Sequence, residues 1–285
     1  VDLTITGEDT GDWFGSVITV GDLNDDNYDD LLIASTRHSS NTGKVYVYFG
    51  SELMVDSVDL TMNGVSTSDY FGATITTGDI NNDNYDDTFI FADSGLVHLY
   101  YGGSSMDNVS DVNFSVTGVA WSGSITIGNF NNDAYNDVII GASSYLSNTG
   151  QAIIYYGSTS MDNTADVTMT GESSGEELGK KIIVTDLNND GFDEAILAGY
   201  GNGNQKGIVN IYYGGNSMDN ISDLSIAGWL NWHMLGESLS SGNFNNDAYD
   251  DLMIYGANKY YLFYGNNTMD NVSDVTFNKS SYSDI

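Results

Sequence analysis

The sequence predicts an all-β chain in which one small sheet is repeated, and three observations carry that reading. A nine-residue stretch, DLNDDNYDD at 22–30, returns as DINNDNYDD (79–87), NFNNDAYND (129–137), DLNNDGFDE (186–194) and NFNNDAYDD (243–251), with first residues 57, 50, 57 and 57 apart. Each copy is followed by an apolar run and then by an aromatic, strand-like segment. No stretch of useful length has helical periodicity. A fixed period of this size marks a repeat architecture, and four short antiparallel strands per period is the size of a β-propeller blade. The expectation is a single β-propeller over 1–285, made of five four-stranded antiparallel blades.

The first repeat sets the template. VDLTITG (1–7) alternates apolar and polar residues, as a half-exposed edge strand does. SVITVG (16–21) is the next strand, the acidic loop follows, and LLIAS (31–35) is a continuous apolar run suited to burial on both faces. KVYVYFG (44–50) is the third strand, and a connector leads to VDLTMNG (58–64). The later third strands are LVHLYYG (96–102), AIIYYG (152–157), VNIYYG (209–214) and YYLFYG (260–265), and the connector recurs as SMDNVSDV (105–112), SMDNTADV (160–167), SMDNISDL (217–224) and TMDNVSDV (268–275). Repeats are placed at about 8–64, 65–118, 119–171, 172–228 and 229–285. Six outer-strand segments start at Val1, Val58, Asp111, Asp166, Asp223 and Asp274, one more than five blades need. Val1–Gly7 is therefore expected to complete the last blade and close the ring, leaving Asp274–Ile285 as a tail. A spare strand is alternatively a template for pairing with a neighbouring molecule.

The repeated loop has the pattern a hard cation needs. Calcium takes six to eight oxygens, and alternate side chains of a tight loop can share one centre. Positions 1, 3, 5 and 9 bear oxygens in every copy, and position 7 is Tyr or Phe, which would offer its backbone carbonyl. The candidate ligands are Asp22, Asn24, Asp26, Tyr28 and Asp30; Asp79, Asn81, Asp83, Tyr85 and Asp87; Asn129, Asn131, Asp133, Tyr135 and Asp137; Asp186, Asn188, Asp190, Phe192 and Glu194; Asn243, Asn245, Asp247, Tyr249 and Asp251. Position 6 (Asn, Asn, Ala, Gly, Ala) is where a left-handed turn is expected. An EF-hand is excluded, because loop position 12 is Ile33 rather than Glu and no helices flank the loop. The glycine-rich nonapeptide of calcium-binding β-helices is absent as well. One such loop could be an Asx-rich turn, but five in one register point to about five Ca2+ sites.

Composition narrows the function classes. A formal charge of −33 with only 7 Lys and Arg argues against nucleic-acid binding. Calcium ligation accounts for part of the acidity, and a saline habitat is a second contributor. There is no Cys and no Pro, and no run approaches the ~18 apolar residues of a membrane span, so membrane insertion is not expected. The chain opens at Val1 on a strand-like segment, which reads as a mature or trimmed form. Six sequons, at Asn108, Asn113, Asn220, Asn266, Asn271 and Asn278, would suit a cell-surface glycoprotein.

The order Phe-Gly, strand, Asp/Asn-rich loop, apolar strand, Gly, aromatic strand resembles the FG-GAP repeat. Phe14-Gly15 and Phe71-Gly72 match the naming pair, whereas Ser122-Gly123, Leu178-Gly179 and Leu235-Gly236 keep only the glycine. The Gly-Ala-Pro signature is reduced to Ala34-Ser35, Gly141-Ala142-Ser143 and Ala198-Gly199. The resemblance implies the propeller of integrin α-subunits and microbial surface proteins, with calcium in the loops, an extracellular or cell-surface location, and a ligand face on the loops opposite calcium.

Catalysis finds little support in the residues. His38, His98 and His233 share no repeat position, the carboxylates are employed in the loops, and Glu176-Glu177 reads as a solvated loop, so the expectation is that the chain is not an enzyme. Aromatics favour binding instead. Trp13, Trp121, Trp229 and Trp232 lie in loops between a fourth strand and the next first strand, with His233 beside them and Tyr70 at the repeat position of Trp13; Arg37 and His38 lie in a loop between strands 2 and 3. Exposed Trp, Tyr and Arg are common interface anchors. The candidate functions are a recognition or adhesion module for a protein or glycan, a structural subunit of a surface layer or filament assembling with copies of itself, and a propeller lectin.

Overall fold

The structure, a computed structural model, describes residues 3–118 and 123–278. It is all-β, with five four-stranded antiparallel sheets, consistent with a five-bladed propeller. The first sheet is β1 (Phe14–Gly21), β2 (Asp30–Ser35), β3 (Lys44–Tyr48) and β4 (Leu60–Asn63); the second is β5 (Thr74–Gly78), β6 (Asp87–Ala92), β7 (Leu96–Tyr100) and β8 (Val112–Ser115). The third is β9 (Ile125–Gly128), β10 (Asp137–Ala142), β11 (Gln151–Tyr155) and β12 (Val167–Thr170). The fourth is β13 (Lys181–Thr185), β14 (Glu194–Gly199), β15 (Ile208–Tyr212) and β16 (Leu224–Ala227), and the fifth is β17 (Ser238–Gly242), β18 (Asp251–Gly256), β19 (Lys259–Phe263) and β20 (Val275–Asn278). Short turns, α1 (His38–Asn41), α2 (Tyr145–Asn148) and α3 (Asn202–Gln205), sit in loops between second and third strands and carry left-handed residues, among them Ser39, Ser40, Leu146, Ser147, Asn204 and Gln205. None of the described helices is long and apolar enough to cross a membrane.

Contacts divide the chain into two compact units, one of residues 1–127, 134–138 and 155–164, the other of 128–133, 139–154 and 165–285. Within the first, Leu23, Leu32, Val45, Met62, Phe71, Ile75 and Ile90 form a core shared by the first two sheets. Within the second, Leu187, Ile196, Val209, Leu235, Leu252 and Phe263 do the same for the fourth and fifth. The apolar second strands behave as their composition requires, since every residue of β6, β10 and β14 is buried.

Successive repeats approach backbone to backbone. Gly43 pairs with Phe71, Gly150 with Leu178 and Gly207 with Leu235 as isolated parallel bridges. A Cβ on Gly43 (φ +85°) would lie 2.3 Å from the Phe71 carbonyl oxygen, which only glycine avoids. An Asp immediately before the outer strand ties off the third strand: Asp59, Asp111, Asp223 and Asp274 accept the N–H of Phe49, Tyr101, Tyr213 and Tyr264 at 2.7–2.8 Å.

One sequence expectation fails here. The outer strand of the fifth sheet is β20, paired with β19 through Tyr261–Thr276, so Val275–Asn278 is not tail, and residues 3–7 form no strand. Ile5 instead packs against the Ile33, Tyr46 and Tyr48 cluster of the first sheet. The edge position was already filled by a segment with the same alternation.

Phe71, fully buried and edge-on to His98 at 5.4 Å, is the side chain on which the first two sheets close. Phe71→Ala should cost about 3–5 kcal/mol, whereas Trp13→Ala, at a half-exposed ring, should cost less than about 1 kcal/mol. Denaturant melts of both variants check this.

Candidate functional site

Each acidic loop folds its side chains back onto its own backbone. In the first, Asp22 accepts the N–H of Asp26 and of Asn27 on separate oxygens at 3.1 and 2.9 Å, Asn24 accepts from Asp26 at 3.0 Å, and Asp26 from Tyr28 at 2.9 Å. The Asp79 and Asp186 loops repeat these bonds. Oxygens of positions 1 and 3 thereby converge on one N–H, and in the fifth loop Asn243 and Asn245 do so on Asp247. The left-handed residue is position 4 in all five loops: Asp25, Asn82, Asn132, Asn189 and Asn246. Position 6 is left-handed only as Asn27, Asn84 and Gly191; Ala134 and Ala248 avoid it, as the Cβ penalty requires. In those two loops position 1 is Asn, and its Nδ2 donates to the carbonyl of Asp133 or Asp247.

Position 9 is the most constrained. Asp30, Asp87, Asp137, Glu194 and Asp251 are fully buried. Asp30 accepts Leu23 N–H and Gly50 N–H at 2.8 Å each, one on either oxygen. Asp87 and Asp251 accept from Ile80 and Gly102, and from Phe244 and Gly265, in the same way. Burial raises Asp30 to about 6, Asp87 to about 7 and Glu194 to about 8 against that hydrogen bonding.

A metal fits the donor set. Asp186, Asp190 and Glu194 bring one carboxylate oxygen each within 4.8 Å of one another, an all-oxygen cluster of the kind a hard divalent cation accepts. In the third loop, Asn129 Oδ1 is buried with no hydrogen-bond partner, an acceptor a cation would satisfy.

Position 8 was missed by the sequence reading although it is Asp or Asn in every copy. Asp86 accepts Asp22 N–H at 3.0 Å and returns its own N–H to the Asp22 carbonyl at 2.8 Å; Asp193 does the same with Asn129 at 2.7 and 3.0 Å. Asn136 donates to the Asp79 carbonyl, and Asp250 accepts from Thr185 Oγ1. Position 8 of one repeat thus clasps the hairpin of the repeat before it. The invariant polarity at that position was the available signal.

The aromatic loops divide by unit. In the first, Trp13 is 52% exposed with the Arg37 guanidinium 3.5 Å from its ring centroid, and Trp13 and Tyr70 line one pocket of about 140 Å3. His38 Nδ1 lies 4.0 Å from Glu8, which Lys44 pairs at 2.7 Å. In the second, Trp229 and Trp232 are exposed, but His233 is buried, its Nε2 2.9 Å from Tyr261 Oη and its ring 4.4 Å from Trp229. His233 is therefore packing rather than a presented ligand group. Burial also lowers its pKa. Trp121 lies outside the described residues. Glu176 is not solvated as expected: it is 1% exposed and accepts the N–H of Glu172 and Ser173 at 2.9 and 3.1 Å.

Trp13, Tyr70, Glu177 and Met234, at one repeat position, all have φ between +47° and +62°. Such backbone costs about 1–3 kcal/mol for a non-glycine residue and persists only where its surroundings impose it. Here the N–H of Tyr70, Glu177 and Met234 is held by the carbonyls of Asn41, Asn148 and Gln205.

The buried position-9 acids set a pH dependence. Their folded pKa values lie above the ordinary 3.8–4.5, so between about pH 4 and 8 the folded chain holds more protons than the unfolded chain and stability falls as pH rises. With divalent cations removed, melting temperature should decline from pH 4.5 to pH 8; a rising curve would contradict these burial-raised values.

Comparison with known proteins adds relatives. Phosphatidylinositol-glycan-specific phospholipase D of Bos taurus is 24% identical over 256 residues, 81% of this chain and 25% of that protein. Integrin alpha-PS3 of Drosophila melanogaster is 31% identical over 104 residues, 34% of this chain and 9% of that protein, and integrin alpha-3 of Cricetulus griseus is 31% identical over 109 residues, 35% and 10%. The chain thus spans about a quarter of the phospholipase. This homology to an enzyme overturns the expectation that the chain is not one; at about a quarter identity it assigns no activity either. This chain accordingly carries an FG-GAP repeat match over residues 14–48 and partial homology to integrin alpha subunits, and among the described residues it repeats a four-stranded sheet five times.

Proposed function

We propose that the chain is a calcium-stabilised recognition or adhesion module, extracellular or at a cell surface, that binds a protein or glycan through the loops opposite its calcium loops. The observation that carries it is Trp13: a large aromatic, half-exposed on strained backbone, with the Arg37 guanidinium against its ring. Binding residues on loops of a rigid scaffold are the common arrangement, and exposed Trp229 and Trp232 supply a second pair of anchors. Calcium's part is support. The cation would be held by the oxygens of positions 1, 3, 5 and 9 with the position-7 carbonyl, one ion per loop. Neutralising three crowded carboxylates in the Asp186 loop relieves repulsion that the hydrogen bonds alone leave. A lectin with five equal sites is disfavoured, since Glu177 and Met234 replace the aromatic of Trp13 and Tyr70.

Two measurements test the proposal. A cation present at 100 times its dissociation constant adds about 2.7 kcal/mol per site. Calcium should therefore raise the melting temperature by several degrees per occupied loop, and Asp190→Asn should remove one loop's share; a melt indifferent to chelator would defeat the calcium assignment. Glycan and protein arrays probed with the calcium-loaded chain should give signals that Trp229→Ala/Trp232→Ala reduces at least tenfold with melting unchanged. Binding untouched by these changes and by Trp13→Ala would remove the aromatic loops from the site.

A further inference from the structure

The same corner of the repeat occurs in two chemical versions. In the fourth repeat it consists of Glu177, Lys180 and Tyr200; in the second, each 107 residues earlier, of Tyr70, Ala73 and Asp93. The backbones match: Lys180 N–H donates to the Glu177 carbonyl at 3.2 Å, and Ala73 N–H to the Tyr70 carbonyl at 3.0 Å, with Glu177 and Tyr70 both left-handed. In the fourth repeat the Lys180 ammonium is caged, 2.6 Å from Glu177 Oε2 and 4.2 Å from the Tyr200 ring centroid. In the second repeat the carboxylate and the aromatic have exchanged places, and the lysine between them has become alanine. What stands there is the pocket of about 140 Å3, walled by Tyr70, Ala73, Asp93 and, from the first repeat, Trp13 and Thr36.

We propose that this pocket receives a primary ammonium group brought by a partner, the group that Lys180 supplies from within in the fourth repeat. The proposal rests on the reading that these loops bind a partner, and it names the chemistry recognised. An aromatic face and a carboxylate are the two elements that hold an ammonium. Among the described residues nothing hydrogen-bonds the Asp93 carboxylate oxygens, and burial with Asp69 nearby raises its pKa, a penalty that a cation relieves. The ring of Trp13 already accepts the Arg37 guanidinium. The volume is well below that of a drug-sized site, so it suits one small head group. A primary ammonium is favoured over a quaternary one because the Lys180–Glu177 contact is a donated N–H bond.

The test is calorimetric titration of the calcium-loaded chain with a lysine side-chain analogue (acetyl-lysine methylamide), ethanolamine and choline. Saturable, salt-sensitive binding of the lysine analogue is expected. Ala73→Lys, which restores the internal ammonium, should abolish it with the melting temperature unchanged or raised, and Asp93→Asn should weaken it at least tenfold. Binding of the lysine analogue alone identifies a protein side chain as the source; equal binding of ethanolamine identifies the bare amine head group. Choline bound as tightly as either, or binding unaffected by both substitutions, would overturn the proposal. If arrays show a protein or glycan ligand while no amine binds, this inference fails and the recognition role stands.

Discussion

The structure depends on a carboxylate with no access to solvent. At the end of each acidic loop, the position-9 side chain is buried and, where both its bonds are seen, one oxygen takes an N–H from the loop and the other an N–H from the glycine that ends the third strand. Two segments about twenty residues apart in sequence are thus held by one group. Such a carboxylate is costly to bury unless every lone pair has a partner, and the backbone donors are only part of the answer. In the proposed reading, a divalent cation beside positions 1, 3 and 5 would supply the remainder, so that one loop would serve both scaffold and cation.

Much of the fold was legible because the period is strong. The apolar run LLIAS gave β2, the aromatic run gave β3, and five copies of one loop fixed the number of sheets. Two things were not legible. Val1–Gly7 alternates like an outer strand, but alternation cannot say which of six equivalent segments takes five edges, and Val275–Asn278 took the last. The left-handed turn was assigned to position 6 from its Gly and Asn, whereas position 4 carries it everywhere. Position 4 is Asp or Asn in every copy, whereas position 6 is Asn in only two, and that constancy was the signal for the turn.

The site was legible by composition and less so by role. The candidate ligand positions were readable as oxygen donors, but position 9 was read only as a ligand and position 8 not at all, whereas position 9 pins its own hairpin and position 8 reaches into the preceding repeat. Among the aromatics, exposure separates Trp13, Trp229 and Trp232 from His233, which sequence grouped with them. Asn108 and Asn220 show a further limit of motifs. Each sequon asparagine donates its amide to an outer-strand carbonyl of the preceding sheet, Thr61 or Thr168, and Asn163, which is no sequon, makes the same bond to Asn113.

Among the described residues, the clasp made by position 8 joins consecutive repeats. Asp86 knows Asp22, and Asp193 knows Asn129, through backbone groups that any residue would provide. Such nearest-neighbour coupling makes stability close to a sum over adjacent pairs. It also makes the repeat a unit of inheritance: a gene duplication that inserts one more copy brings its own acceptor for the hairpin before it and offers its own hairpin to the one after. Blade number in such a lineage can then drift without redesign of that clasp, while the loops between sheets diverge one repeat at a time.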